Sequence, residues 1–277
     1  MSKKNPITSS IKQSLALIKK HKNIALTLLI LQIIFLGLMI GLQMNYQLKA
    51  FEAAQEIMDY LGEQDLSDIG VAEDIVMGSS LLGDDPLMIS RNYRKIVSLM
   101  ASLAIYSSLA YLLFGSLSWA LTDQLIHKKG KKKFLGYMGR FCVLAIGFWI
   151  INSMLIYSGL KAMVARAVSG AGLGAFSLIY LVPALIVFYF MFISFALISK
   201  IKFKDILRKA LMLGAKKANI MLLVYLINLV IIVSLSLLVH LLRNMNLALL
   251  SLGLILWVSS FVWARLFLVL AVDRIKV

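Results

Sequence analysis

Asp123 and His127 stand i, i+4, so on a helix a carboxylate and an imidazole share one face. Such a pair offers two ligands to a metal ion. A zinc site needs three or four, and no third ligand stands at suitable spacing, so the pair reads as a surface ion pair. Gly170-x-Gly172-x-Gly174 is glycine-rich but follows no strand, so a phosphate-cradling loop is not expected there. His21 and His240 have no Ser, Cys or acidic neighbour at catalytic spacing, which leaves a nucleophile without a base. Cys142, the single cysteine, lies in an apolar run and reads as a small buried apolar residue, with no intrachain disulfide open to it. The acids between spans one and two lack the ordered oxygen-ligand spacing of a calcium loop. No catalytic residue, cofactor site or metal site is therefore expected, and the chain is read as not being an enzyme.

Arg265 is the one charge well inside an apolar run. On insertion scales a charge at the bilayer centre costs about 2.5–3.5 kcal/mol. Arg265 lies eight residues before Asp273, about 12 Å of helix rise, which lets the side chain snorkel to a headgroup layer. A structural pairing or snorkelling is the expectation, with a lipid-headgroup or anion site as the alternative. Gln32, Gln43, Asn152 and Asn228 are uncharged polar residues within apolar runs, expected to bond between helices rather than to line a solute path. Gly37 and Gly41 form GxxxG, and Ala104, Ser108 and Gly115 place small residues along the second run. Both patterns favour close helix approach, within the chain or between copies.

The elements that must position these residues follow from composition. The chain has 277 residues, 61% of them apolar and 15% charged. Soluble domains sit near roughly 45–50% and 25%. That excess does not fit inside a 31 kDa globule, and the solvent that accepts an apolar surface is lipid. About 20 apolar residues cross a bilayer core, and six runs reach that length: 24–45, 97–121, 136–159, 174–199, 219–241 and 247–271. Pro183 is expected to kink the fourth. The fifth and sixth, joined around Asn244–Asn246, are expected to form a tight hairpin. The first run is too long for a cleaved signal and has no small-x-small site after it, so it reads as an uncleaved anchor.

The net charge of +16 is distributed by connection. Lys and Arg number 21 in the segment before span one, the second and fourth connections and the tail, against 7 in the other connections, Arg265 left aside. This alternation sets topology and does not suggest nucleic acid. The positive-inside rule places both termini in the cytoplasm. The chain therefore reads as all-α, a single polytopic transmembrane domain over 1–277, with a cytoplasmic amphipathic segment at 1–23 and an acidic extracytoplasmic connection at 46–96. That connection holds ten of the thirteen acids. Leu48, Phe51, Ile57, Tyr60 and Leu61 fall near helical spacing, so span one is expected to continue outward as an amphipathic helix.

Two basic amphipathic segments precede spans on the cytoplasmic side. Ile7, Ile11, Leu15 and Ile18 share one face, with Lys12, Lys19, Lys20 and Lys22 around it. Phe203, Ile206, Leu207, Ala210, Leu211 and Gly214 form a similar face beside Arg208, Lys209, Lys216 and Lys217. Helices of this kind lie in the interface with their cations near anionic headgroups. The two segments also align without a gap: Leu15-Ala16-Leu17, Lys20 and Asn23-Ile24-Ala25-Leu26 match Leu211-Met212-Leu213, Lys216 and Asn219-Ile220-Met221-Leu222. Internal repetition and shared membrane-insertion chemistry both account for this. A weaker version, Lys131–Arg140, precedes span three, so three approach-and-two-span units are expected.

Phe195-Ala196-Leu197-Ile198, Ile206-Leu207-Arg208-Lys209-Ala210-Leu211 and Lys216-Lys217-Ala218-Asn219 resemble a pattern in a loose group of prokaryotic six-span proteins. That group includes the membrane domain attached to some glycerophosphodiester phosphodiesterases. Trp263-Ala264-Arg265-Leu266 with Val272-Asp273-Arg274 resembles the group's closing pattern. Lys209 and Ala210 replace its usual Ser-containing stretch. The resemblance implies six spans, and it implies no phosphodiesterase activity, because that domain is not in this sequence; a plasma-membrane location is expected. The expected function is a non-enzymatic accessory, scaffold or membrane-organising component. It would engage anionic lipid through Arg265, Lys12, Lys19, Lys20, Arg208 and Lys209. A channel or transporter for a small solute or lipid is the alternative. Expected partners are membrane lipids, not nucleic acid, with a membrane-protein partner or a homo-oligomer left open.

Overall fold

A computed structural model describes residues 6–63, 87–127, 131–168 and 176–275. Their regular structure is helical: α1 Pro6–Lys20, α2 Lys22–Glu63, α3 Leu87–His127, α4 Lys131–Val168, α5 Phe176–Leu197, a 3-10 turn Phe203–Asp205, α6 Ile206–Lys216, α7 Ala218–Leu242 and α8 Leu247–Arg274. Among the described residues, five helical stretches are long and apolar enough to cross a membrane: Lys22–Tyr60, Leu87–His127, Phe134–Gly159, Ala218–Leu242 and Leu247–Arg274. The fourth expected run falls on α5, a 22-residue helix that continues through Pro183 and holds the shorter apolar stretch Leu181–Leu197. The glycine run 170–174 and residues 64–86 of the acidic connection lie outside the described residues.

The chain divides into two compact units, one of residues 34–111 and one of residues 1–33 with 112–277. In the smaller unit Ala50, Ala53, Asn92 and Ala110 are buried, Tyr46 and Tyr106 lie 6.0 Å apart, and Lys95 pairs with Glu56 at 3.8 Å. Helix α2 runs unbroken to Glu63, so the expected outward continuation of span one is present. Its buried side, however, is the small Ala50–Ala53 side, while Leu48 and Phe51 are exposed. Among the described residues Gly37 and Gly41 make no close helix contact within the chain: a Cβ at either would meet nothing within 4 Å.

The larger unit is organised around the end of α8. Residues 266–272 are all buried, on every side of the helix. A helix apolar all round is an interior post, and here α1, α5 and α7 pack against it. Apolar contact alone gains little in lipid, where the alternative neighbour is also hydrocarbon, so helices are held by close packing and interhelical hydrogen bonds. Tyr137 of α4 donates to Phe195 O of α5 at 2.8 Å, and Phe141 lies 4.4 Å from the Phe195 ring. The α7–α8 hairpin is antiparallel, with Gly253 against Val239 and Leu242, Trp257 Nε1 donating to Ser236 Oγ at 2.8 Å, and Asn228 Nδ2 donating to Ala264 O at 3.4 Å. Asn246 caps α8 by accepting from Ala248 N at 2.9 Å.

The expected third approach segment is not a separate helix. Helix α4 starts at Lys131 and runs straight on into its apolar stretch. Tyr137 and Phe141, one turn apart, both fasten onto Phe195, which holds this part of α4 to one continuous line.

Candidate functional site

The two expected amphipathic helices form, and each meets its span at a one-residue break. His21 separates α1 from α2, and Lys217 separates α6 from α7. These positions are 196 residues apart, the offset that aligns Leu15 with Leu211. The hydrogen bonds around the breaks correspond. His21 N donates to Leu17 O at 2.9 Å and Lys217 N to Leu213 O at 2.9 Å, while Ala25 N donates to His21 O at 3.1 Å and Met221 N to Lys217 O at 3.0 Å. Burial corresponds as well: Ser10 with Ile206, Ser14 with Ala210 and Leu28 with Val224 are buried at matched positions, while Leu15 and Leu211 are 51% and 52% exposed. The sequence match thus extends to backbone, buried side and open side.

The elbows show which side of each helix meets the protein. On α1, read with an apolar stripe of Ile7, Ile11, Leu15 and Ile18, the side pressed into the protein is Ser10 and Ser14, each hydroxyl bonded back to its own helix, with Leu17 and Ile18 reaching a core of Leu28, Leu125, Val262 and Leu266. Small serines let α1 lie close along α8. The Leu15 side stays open, with Lys12, Lys19 and Lys20 exposed. Arg274 at the end of α8 donates to Ser9 and Gln13 of α1 and pins it in place. In α6, Ile206, Ala210, Leu213 and Gly214 face inward, while Leu207, Leu211, Arg208 and Lys209 are exposed. Five of the six expected lipid-binding residues (Lys12, Lys19, Lys20, Arg208 and Lys209) therefore stand on two open, docked helices.

Arg265 stands elsewhere. It is partly buried in α8, and its Nη2 donates to Gln32 Oε1 of α2 at 2.7 Å, with Nε turned to Phe261 O at 3.4 Å. Arg265 and Asp123 both lie within electrostatic reach of the Tyr137 hydroxyl. Asp123, two residues past the second apolar run, is only 6% exposed, so the fold buries an acid at the end of that span where an exposed pair was expected.

His127, six residues beyond the apolar run, bridges two carboxylates. Its Nδ1 faces Asp123 Oδ1 at 2.8 Å, and its Nε2 faces Asp273 Oδ2 at 3.1 Å. The hydrogen bond to Asp123, then that to Asp273, raises the imidazole pKa from 6.5 to about 9 against the opposing effect of burial. Lys200 also pairs with Asp273. Asp273 is thus the third acidic or imidazole group missing from the sequence pair, brought from 146 residues away. It is balanced by His127 and Lys200, and among the described residues no group of three or more His, Cys, Asp or Glu is placed to hold a metal ion. Asp273 and Lys200 carried no local signal as partners, since their pairing joins distant segments, whereas Gln32 bonds across to α8 as expected of an uncharged polar residue in an apolar run. Asn228 bonds across to α8 as expected, whereas Asn152 Nδ2 donates within its own helix to Phe148 O at 3.2 Å. Cys142 Sγ, half-buried, points to Leu112 O at 3.9 Å.

No protein-family model matches the chain, and neither a curated protein nor a solved structure shows significant similarity to it.

Proposed function

We propose that this chain is a non-enzymatic plasma-membrane protein with six spans and cytoplasmic termini. On this reading it acts as an accessory, scaffold or membrane-organising component that engages anionic lipid through α1 and α6. The paired elbows carry the reading: two amphipathic helices docked sideways on one unit, each leaving a leucine side open beside exposed cations. An interfacial helix seats its apolar side in the acyl boundary and its cations among the phosphates. Each cation near an anionic surface contributes about 1 kcal/mol. The resemblance of 195–219 and 263–274 to the six-span group belongs to the same reading and adds no activity to it.

The test compares the full chain in nanodiscs of neutral and of anionic lipid. Anionic lipid is expected to raise the unfolding temperature. Lys12→Gln, Lys19→Gln and Lys20→Gln together with Arg208→Gln and Lys209→Gln should remove most of that rise, as should added salt. Equal stability in both lipids for the unaltered chain rules the reading out.

A second reading, a channel or transporter for a small solute or lipid, draws on the polar side chains between helices: Arg265 with Gln32, and His127 with Asp123 and Asp273. The two readings part on whether water reaches Gln32.

A further inference from the structure

The second elbow has a feature that its counterpart lacks. Helices α5, α6 and α7 line an open groove of about 400 Å³ walled by Val182, Leu185, Ile186, Tyr189, Phe190, Gly214, Ala218 and Leu222. That volume lies at the low end of roughly 300–1,000 Å³ for small-molecule sites. The groove is long rather than round. On α5 the lining steps from Phe190 back to Val182, eight residues or about 12 Å of rise, and Gly214, Ala218 and Leu222 follow it at four-residue steps across the elbow. Its polar groups are already engaged: Tyr189 OH donates to Gly214 O and Tyr225 OH to Tyr189 O, each at 3.0 Å. A polar solute would find no free side-chain donor in that lining, whereas a hydrocarbon chain loses nothing by entering it.

No charged residue lines the groove. Lys216 and Lys217 are exposed and lie in the chain between lining residues Gly214 and Ala218. The groove therefore starts at two cations and runs along a span, which is the layout of a phospholipid with an anionic headgroup. At the first elbow the residues equivalent to Gly214 and Ala218 are Ile18, which packs on the core around Leu28, and Lys22. Of these two small residues found only in the second elbow, Gly214 lets the Phe190 and Tyr189 rings approach, and Ala218 keeps the groove shallow-walled beside them.

We infer that the α5–α6–α7 elbow holds one anionic phospholipid, an acyl chain along Val182–Phe190 and Ala218–Leu222 and the phosphate at Lys216 and Lys217. This deepens the lipid-engaging reading above and rests on it for a membrane setting, but it concerns a discrete one-lipid site rather than surface attraction.

The test is native mass spectrometry of the full chain in detergent with equimolar phosphatidylglycerol and phosphatidylcholine of identical chains. The unaltered protein is expected to retain one phosphatidylglycerol at least tenfold over phosphatidylcholine. Ala218→Leu should abolish retention of both. Lys216→Gln with Lys217→Gln should bring phosphatidylglycerol down to the phosphatidylcholine level. Retention unchanged by Ala218→Leu overturns the groove, and a preference unchanged by the Lys pair overturns the headgroup assignment. A dimer that Ala218→Leu dissociates would mean that a second copy fills the groove, and would also overturn the inference. Should Ala218→Leu misfold, a photoreactive benzoylphenylalanine at Leu185 gives the answer: selective crosslinking to phosphatidylglycerol is expected, and equal crosslinking of both lipids overturns the site. Lys12→Gln, Lys19→Gln and Lys20→Gln should leave retention intact, and equal stability of the unaltered chain in neutral and anionic nanodiscs with retention preserved would remove the broader reading and leave this site standing.

Discussion

Arg265 and Gln32 meet in an environment where an unmade hydrogen bond is expensive. Removing one partner leaves the other's polar group in apolar surroundings, at about 1–3 kcal/mol. Arg265→Leu should therefore lower the unfolding temperature in detergent, Arg265→Lys should do so less because it retains one donor, and adding Gln32→Leu to Arg265→Leu should recover part of the loss. A double variant no more stable than Arg265→Leu would place the loss outside this bond. His127 makes a prediction of opposite character, because it depends on pH. Its folded pKa, about 9, lies above its ordinary 6.5. The extra proton binding favours the folded state, so the contribution is complete below about pH 6.5 and fades as pH rises through 9. His127→Gln should destabilise the protein at pH 6 and cost little at pH 9.5. Unfolding temperatures of both proteins across that range measure it, and a constant difference would show that the imidazole charge does not act through Asp123 and Asp273.

At the scale of helices, glycines divide by what surrounds them. A Cβ at Gly214 would stand 2.5 Å from Phe190 and 2.9 Å from Tyr189 ring carbons, the latter ring held by its hydroxyl's bond to Gly214 O. Gly214→Ala is expected to cost about 1–3 kcal/mol, the usual range for overpacking. Gly37→Ala and Gly41→Ala meet open space and should be neutral or stabilising in dilute detergent, since alanine favours helix by up to about 1 kcal/mol. Thermal unfolding of the three variants separates them, and a tolerated Gly214→Ala would show that the α5–α6 contact is looser than drawn. The same contrast explains why GxxxG in span one did not mark an internal contact: the motif permits close approach but does not supply the second helix.

For the whole molecule, the six-span, cytoplasmic-termini reading predicts opposite faces for the two principal connections. In a Cys142→Ala background, Gln55→Cys should react with an impermeant thiol reagent from outside the cell, and Lys204→Cys only after the membrane is opened. Both positions are exposed on helices or turns. Reaction of both from one side would break the alternation of spans. Gln32→Cys in the same series separates the two functional readings: a dry packing core leaves it unlabelled, and labelling by a water-soluble reagent favours transport.

What was legible in the sequence is what adds up locally. Membrane residence follows from per-residue transfer energies summed over about 20 apolar residues, and five long apolar helices stand where such runs were read. The basic amphipathic segments before spans one and five follow from helical periodicity, and even the matched breaks at His21 and Lys217 were foreshadowed by the aligned residues. Tertiary structure decided what periodicity leaves open. It chose the serine side of α1 to face the protein, since close approach to α8 rewards small residues over large ones. It merged the expected approach segment and span three into one continuous helix, α4, which meets α5 where Tyr137 and Phe141 both seat on Phe195. It joined His127 to Asp273 and Arg265 to Gln32 across 146 and 233 residues, and opened a groove where Gly214 meets Phe190. Those outcomes depend on which helices become neighbours, and a residue's neighbours in space, unlike its hydropathy, are not a property of its own segment.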